Sequence, residues 1–254
     1  MAKKKPACFF TGAYSDEYLN NYIPMMRNSL KKFHPDIPHI IIGKDKFEAA
    51  VRADPLNRLR TYALFGEPLS KEYDLVMGID ADCIVTGDLS HIIDDKTYDV
   101  GCVLNNNLVD PKLVVWDVSP DFYVNCGFMA IRGERPWSWW NKLNHGSWLP
   151  KYQFIEQDML NIMVHYGDLN CKIFDLSNKW HGLINMGQWN KMVMRDGKLI
   201  LPKTGGVCEE DKDIKIIHWA GGPSRKKMNY HVFFNKEVCK YLDYLTKDAE
   251  KPIS

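Results

Sequence analysis

The sequence contains no apolar run long enough to cross a membrane and no excess of charge of either sign. Its 254 residues include 33 Lys and Arg against 32 Asp and Glu, a formal net charge of +1 at pH 7. A transmembrane helix needs about 20 consecutive apolar residues, and no stretch approaches that length. The apolar segment after Lys5 is too short for a signal-peptide core. We therefore expect no transmembrane segment, no nucleic-acid partner and a cytoplasmic location.

Cysteine patterns that build disulfide frameworks or zinc sites are also missing. The chain has seven cysteines, an odd number, and no Cys-x-x-Cys pair, which favours a reducing compartment. Nor does a glycine-rich phosphate loop follow the first apolar run, where the sequence is Thr11-Gly12-Ala13-Tyr14-Ser15. Nucleotidyltransferases that make sugar nucleotides carry such a loop, so its absence argues against that class.

What the sequence does contain is a set of strand-length apolar runs that alternate with helical patterns. This alternation predicts a largely parallel sheet with helices on both faces, followed by a more mixed second half. The predicted strands are 7–11, 39–42, 73–85, 99–104, 123–131, 171–176, a hairpin over 193–201 and 214–219. The predicted helices are 16–33, 55–65, 89–94, 137–143, 155–165 and 230–246, the last packed on the body of the protein.

The clearest chemical signal is an apolar run that ends in two carboxylates, Asp80 and Asp82. Residues two apart in an extended chain point to the same side, so both carboxylates can meet one divalent cation. Ligands of α/β sheets bind at the carboxyl ends of strands. Thr11 and the two aspartates lie at such ends, and His218 ends a later apolar run. These residues alone predict one shared site. The alternatives are that the Asp-x-Asp segment only caps a turn and that His218 is a hydrogen-bonded histidine of the core.

A glycine-rich basic segment follows His218, with the sequence Gly221-Gly222-Pro223-Ser224-Arg225-Lys226-Lys227. Glycines allow a close approach of the backbone, and basic side chains can meet a diphosphate. Such a loop beside a metal ligand suits a nucleotide diphosphate as leaving group.

Four motifs in order resemble the retaining GT-A-fold glycosyltransferases of family GT8, which includes glycogenin, galactinol synthase and bacterial lipopolysaccharide galactosyltransferases. They are a central block (58–64 and 73–89), the strand Tyr123-Val124-Asn125-Cys126-Gly127-Phe128-Met129, the helix start Glu156-Gln157-Asp158-Met159-Leu160-Asn161, and Ile216-Ile217-His218-Trp219-Ala220-Gly221. The resemblance covers about residues 7–228. It implies an α/β GT-A fold with a mostly parallel central sheet flanked by helices and a smaller mixed C-terminal part.

The resemblance also implies a domain layout. Residues 1–254 would form a single glycosyltransferase domain. Its nucleotide- and metal-binding half would span about 7–104, its acceptor and donor-sugar half about 105–228, and a C-terminal helix about 230–246.

The implied activity is that of a metal-dependent retaining hexosyltransferase. It would move a hexose from a nucleotide sugar, with UDP-glucose or UDP-galactose as the first choices, to a glycan or another hydroxyl acceptor. Asp80, Asp82 and His218 would hold Mn²⁺, with Mg²⁺ as the alternative. A sugar-nucleotide nucleotidyltransferase and a non-catalytic nucleotide-sugar-binding relative stay open as other functions, and a homodimer stays open as an assembly.

For the nucleotide, the resemblance implies contacts from strand ends and basic residues. Thr11 and a nearby aromatic side chain would bind the base, with Tyr18 preferred and Tyr14 as the alternative. Arg58, or else Arg60, would lie near the nucleotide and donor sugar. The remaining implied contacts to nucleotide and diphosphate are Asp80, Ala81, Gly221 and Lys226, with Arg225 as the alternative to Lys226.

For the donor sugar, the resemblance implies contacts from Asn125, Glu156 and Gln157, with Gln157 near the reacting face. Glu156, Gln157 and Asp158 form the candidate catalytic set. Glu156 and Asp158 cannot both face the anomeric centre at helical spacing, so we favour front-side attack over a carboxylate nucleophile. The family usually has Asp where this chain has Glu156, and the Lys-Pro-Trp that usually follows the last motif is missing. Candidate acceptor contacts are the segments 180–182 and 105–107.

Overall fold

The computed structural model describes residues 4–105, 118, 122–143, 156–174, 191–203, 210–218, 231 and 234–247. Within these ranges the strands are β1 (Lys5–Gly12), β2 (His39–Ile42), β3 (Tyr73–Ile79), β4 (Cys83–Val85), β5 (Val100–Leu104), β6 (Val124–Arg132), β7 (Cys171–Ile173), β8 (Val193–Arg195), β9 (Lys198–Leu201), β10 (Lys212–Asp213) and β11 (Ile216–His218). The α-helices are α1 (Ile23–Phe33), α2 (Lys44–Ala53), α3 (Thr61–Glu72), α4 (Ser90–Asp94), α5 (Arg135–Lys142), α6 (Glu156–Tyr166) and α7 (Lys236–Thr246).

The central sheet has six strands in the order β2-β1-β3-β6-β5-β7. Strand β6 is antiparallel to both of its neighbours, and the other three pairings are parallel. Five of the six strands therefore run in one direction, which confirms the predicted mostly parallel sheet. Two smaller sheets, β10-β9-β8 and β11-β4, form the mixed remainder.

Both faces of the central sheet are buried, which explains the continuous apolar runs in its strands. In β1, Phe9 belongs to the apolar cluster on one face and Phe10 to the cluster on the other. In β3, Met77 and Val76 divide in the same way. A third apolar cluster joins helix α7 to the β8-β9 hairpin and to Ile84 and Ile217. The prediction that the C-terminal helix packs on the body is confirmed.

The predicted hairpin over 193–201 is also confirmed. Asp196 and Gly197 both have positive φ, 51° and 74°, as a two-residue turn of type I′ requires. The turn joins β8 to β9, whose residues Leu199 and Leu201 are fully buried or nearly so.

The prediction for residues 44–72 was wrong in two respects. Helix α2 was not predicted, because its apolar stripe is narrow (Phe47, Ala50 and Val51) and none of its residues is fully buried. The predicted helix over 55–65 is instead a 3₁₀ turn at Pro55–Arg58, followed by α3 at Thr61–Glu72. Asp54 does cap this turn, since its side chain accepts a hydrogen bond from the Leu56 amide at 2.9 Å.

The N-terminal helix also starts differently from the prediction. Residues Tyr18–Tyr22 form a π-helix before α1 begins at Ile23. Pro24 lies in the first turn of α1, where its missing amide hydrogen costs nothing. None of the helices in the described ranges is long and apolar enough to cross a membrane.

Candidate functional site

The two aspartates and the histidine of the predicted metal site lie together. Asp80 follows the carboxyl end of β3, and Asp82 immediately precedes β4. Strand β4 pairs antiparallel with β11, so that His218 lies opposite Cys83. This register brings His218 Nε2 to 3.4 Å from Asp80 Oδ2 and 3.3 Å from Asp82 Oδ1.

The cluster is enclosed and strongly polarised. Asp82 and His218 are 6% and 4% exposed. Burial alone would lower the pKa of His218, but the nearby charges of Asp82 and Asp80 outweigh it and raise that pKa to about 10. Tyr62 donates a hydrogen bond to Asp80 Oδ1. The carboxylates therefore attract positive charge, here the imidazolium proton.

The same donor set fits a divalent cation. One ligand atom from each of Asp80, Asp82 and His218 can be chosen so that all three lie within 4.8 Å of one another. Carboxylate oxygens suit Mg²⁺ and Mn²⁺, and a neutral imidazole nitrogen suits the transition metals. The residues thus match a metal that accepts both kinds of ligand, and metal binding requires the imidazole to lose its extra proton.

Gly127 allows His218 to lie against strand β6. A Cβ atom at Gly127 would be 2.3 Å from both Cε1 and Nδ1 of the His218 ring and 2.8 Å from Asn125 Oδ1. The Gly127 carbonyl accepts the Asp80 amide at 2.9 Å. The glycine of the Asn-x-Gly motif therefore serves the metal site by having no side chain.

Glu156, at the start of α6, is close enough to Asp80 to interact with its charge. Burial, together with the charge of Asp80, raises the pKa of Glu156 to about 7. Tyr14 belongs to the same group, because burial and then the charges of Glu156 and Asp80 raise its pKa. The Tyr14 ring lies over Gly12, where an added Cβ would be 2.6 Å from it.

The other two residues of the candidate catalytic set face the interior. Gln157 is 8% exposed, and its side-chain oxygen accepts the Cys126 amide at 3.3 Å. Asp158 has no exposed surface and accepts a hydrogen bond from the Tyr123 hydroxyl. The two carboxyl groups thus have different surroundings, because Asp158 contacts Tyr123 whereas Glu156 interacts electrostatically with Asp80.

Asn125 braces strand β6, and Asn161 connects that strand to helix α6. Asn125 is 4% exposed, accepts the Gly127 amide at 2.8 Å and donates to Asn105 at 3.3 Å. The Asn161 side chain bonds both the amide and the carbonyl of Val124, at 2.7 and 2.9 Å. The two Asn161 bonds hold the middle of α6 beside the strand that carries Gly127.

The candidate base-binding residues lie near the end of β1. Thr11 is fully buried, and its hydroxyl donates to the Ile79 carbonyl at 2.8 Å, so its side chain supports the strand that ends at Asp80. The Tyr18 ring packs on Tyr22 at 5.1 Å between centroids. The Tyr14 ring packs on Phe47 at 4.5 Å. Tyr14, the alternative to Tyr18, is the one grouped with Asp80 and Glu156.

Of the two arginine candidates, Arg58 is exposed and Arg60 is half-buried. Arg60 pairs with Asp54 at 2.6 Å and donates to Asn57 at 2.9 Å. Ala81 is 2% exposed in the turn between the aspartates. Gly221, Arg225, Lys226 and the acceptor candidates 106–107 and 180–182 lie outside the described residues.

Sequence reasoning missed the roles of Tyr62, Gly127 and Tyr123. Tyr62 lies inside the central block and Gly127 inside the Asn-x-Gly motif, so both were within motifs already singled out. Their contacts join distant parts of the chain, which spacing along the sequence does not reveal.

Comparison with known proteins yields no matching family model and no matching curated protein sequence. Solved structures do match. The galactosyltransferase LgtC, solved in complex with donor and acceptor sugar analogues, aligns over 95% of this chain and 97% of its own with a TM-score of 0.54 at 13% identity. The glycosyltransferase GlyE of Streptococcus pneumoniae TIGR4 aligns over 97% of this chain and 61% of its own, with a TM-score of 0.56 at 13% identity. The chain therefore has the GT-A glycosyltransferase fold that its motifs predicted.

Proposed function

We propose that this chain is a metal-dependent retaining glycosyltransferase of the GT8 type, which transfers a hexose from a UDP-sugar to a hydroxyl acceptor. The observation that carries the proposal is the cluster of Asp80, Asp82 and His218, at the carboxyl end of a sheet in a fold shared with a galactosyltransferase. Ligands of open α/β sheets bind at this end.

Asp80, Asp82 and His218 are arranged so that they could bind one divalent cation. Asp80 and Asp82 would hold Mn²⁺, or Mg²⁺ as the alternative, together with neutral His218. The bound cation would neutralise the diphosphate as it leaves the sugar. Tyr62 holds one oxygen of Asp80 by a hydrogen bond, which leaves the other oxygen, Oδ2, facing His218.

Glu156 and Gln157 are the residues that we assign to the donor sugar. A carboxyl group whose pKa is about 7 exists in both protonation states near neutral pH, so Glu156 can donate or accept a hydrogen bond with a sugar hydroxyl. Asp158 is enclosed and bonded to Tyr123, so we assign it a positioning role. Glu156 is then the carboxylate left for the reacting face.

The rest of the machinery acts by positioning and electrostatics. In front-side attack the leaving phosphate takes the proton of the acceptor hydroxyl, and the enzyme holds donor and acceptor together.

We assign Tyr14 or Tyr18 and the end of β1 to the base, Arg58 to the nucleotide side, and Gly221 with Lys226 or Arg225 to the diphosphate. UDP-glucose and UDP-galactose are the donors to test first, and we place the enzyme in the cytoplasm as a single domain.

The substitution Asp82→Asn tests the proposal. It keeps the size of the side chain and removes the charge, so we expect Mn²⁺ affinity in the presence of UDP to fall by about 100-fold or more, with the far-UV circular dichroism spectrum unchanged. Asp74→Asn is the matched control, because Asp74 is an exposed aspartate on β3. Isothermal titration calorimetry measures both variants.

Three outcomes discriminate between functions. Loss of binding in Asp82→Asn alone supports the ligand assignment. Equal binding by both variants contradicts it. Binding of Mn²⁺ and UDP by the unmodified protein, without turnover of any nucleotide sugar, would favour a non-catalytic nucleotide-sugar-binding protein.

A further inference from the structure

A cavity of about 240 Å³ lies between the C-terminal part of α1, the loop 34–38 and the start of β2. Four basic residues contribute to its lining, namely Arg27, Lys31, His34 and His39. None of the candidate metal, nucleotide or sugar residues lines it. It lies at the amino end of edge strand β2, whereas the carboxylates lie at the carboxyl end of β3.

Among the residues that the structure describes, no acidic side chain pairs with the two strongest cations of this cavity. Arg27 and Lys31 are both exposed and lie one turn apart on α1. Like charges four residues apart destabilise a helix, and within the described ranges neither residue forms an ion pair. Asp36 is an opposing charge in the lining, but it pairs with neither of them. The cavity therefore presents a net positive charge.

The hydrogen bonds of the two histidines fix what each can offer. Thr11 donates its proton to the Ile79 carbonyl at 2.8 Å, so in the 3.0 Å contact between Thr11 Oγ1 and His39 Nε2 the histidine must be the donor. The other nitrogen, Nδ1 of neutral His39, is then an acceptor. It is buried, and no described residue bonds to it.

His34 has the opposite arrangement. Its Nε2 accepts the Leu89 amide at 3.0 Å, so the proton of the neutral ring is on Nδ1. The cavity is thus lined by two cations and two neutral histidines, and His39 Nδ1 is enclosed rather than open to it.

We propose that this cavity is a binding site for a phosphate group, separate from the carboxylate site. The cations and His34 Nδ1 would donate to phosphate oxygens. A phosphate group carries about −1.5 to −2 charge near neutral pH and at least three acceptor oxygens, whereas an ionised carboxylate carries a single charge, so a phosphate can meet both cations at once. The cavity is smaller than the roughly 300–1,000 Å³ of sites for drug-sized ligands, so the ligand is inorganic phosphate or a small phosphate ester.

Calorimetric titration with inorganic phosphate tests this site, in chloride buffer of matched ionic strength with EDTA present to keep metal out of the carboxylate site. A parallel titration with glycerol 3-phosphate shows whether an ester is preferred, and acetate is the carboxylate comparison. We expect saturable phosphate binding and weaker acetate binding. Absence of saturable binding of either phosphate compound below about 10 mM would overturn the proposal, as would acetate binding of equal strength.

Charge substitutions locate the binding. The double substitution Arg27→Gln with Lys31→Gln should weaken phosphate binding about tenfold or more, and Asp36→Asn should tighten it. Lys32→Gln removes a charge from the same helix at a side chain that lies over the Tyr244 ring at 4.6 Å, so it should have little effect. Unchanged affinity in the double variant, or equal weakening by Lys32→Gln, would show that the bound phosphate lies elsewhere.

Discussion

At the residue scale, the candidate metal site depends on one position without a side chain. Gly127 lies directly against the imidazole of His218, and an added Cβ would overlap that ring at 2.3 Å. Because the ring is enclosed and its neighbours are closely packed, it cannot move aside without leaving the two carboxylates.

We therefore expect Gly127→Ala to weaken metal binding by about tenfold or more, the size of effect typical of residues that support a ligand. Gly43→Ala is the matched control, because nothing lies within 4 Å of a Cβ at Gly43. Titration of each variant with Mn²⁺ measures the effect. Metal affinity that is unchanged in Gly127→Ala would mean that His218 is not a ligand.

A second residue-scale prediction concerns the pH dependence of stability. Burial, together with the charges of Arg27 and Lys31, lowers the pKa of His39 to about 4. An unfolded histidine takes up its proton near pH 6.5, so between pH 6.5 and 4 the unfolded state binds more protons. The contribution of neutral His39 is therefore complete above pH 6.5 and is lost as the pH falls towards 4, by up to about 3 kcal/mol.

Urea unfolding at pH 7.5 and pH 5 in phosphate-free buffer measures this dependence. His34 and His91 also have lowered pKa values and act in the same direction, so the comparison needs His39→Gln. We expect that variant to lose less stability on acidification than the unmodified protein. An equal loss in both proteins would contradict the lowered pKa of His39.

At the element scale, the β8-β9 hairpin depends on its two-residue turn. Gly197 has a φ of 74°, a left-handed conformation that costs an alanine about 1 kcal/mol. We expect Gly197→Ala to destabilise the protein by about that amount. Asp196→Asn should be nearly neutral, since asparagine tolerates positive φ. Urea midpoints compare the two, and a neutral Gly197→Ala would contradict the turn geometry.

The elements also show what a sequence can and cannot reveal. Strands such as β3 were predictable because burial on both faces leaves a continuous apolar run. Helix α2 was harder to recognise, because its apolar stripe is narrow and none of its residues is fully buried. The Asp54-Pro55 signal correctly marked a cap, but whether a 3₁₀ turn or an α-helix follows depends on packing that local sequence does not contain.

The same limit applies to the candidate site. Asp80, Asp82 and His218 were predictable because each lies at the end or edge of an apolar run. The contacts of Tyr62 with Asp80 and of Gly127 with His218 were not, because they depend on how β3, β6 and β11 come together. Short motifs give the candidate metal ligands, whereas the residues that support them become visible only in three dimensions.

At the scale of the whole molecule, the site is assembled from parts far apart in the chain. The turn between β3 and β4 supplies the aspartates, β11 supplies His218 and α6 supplies Glu156. The C-terminal helix also supports this arrangement, since Tyr241 donates to the Thr86 carbonyl at 2.7 Å just after β4. The GT-A fold is thus what converts dispersed motifs into one candidate donor site.

The central claim is that this assembled site splits a nucleotide sugar with the help of a metal. The most direct measurement is the release of UDP from UDP-glucose and UDP-galactose, with Mn²⁺ or Mg²⁺ and with water or simple sugars as acceptors. Our account predicts UDP release from at least one donor, its loss with EDTA, and its reduction by about 100-fold or more in Asp82→Asn. UDP release that persists in EDTA or in Asp82→Asn, or no release from either donor with either metal, would contradict it.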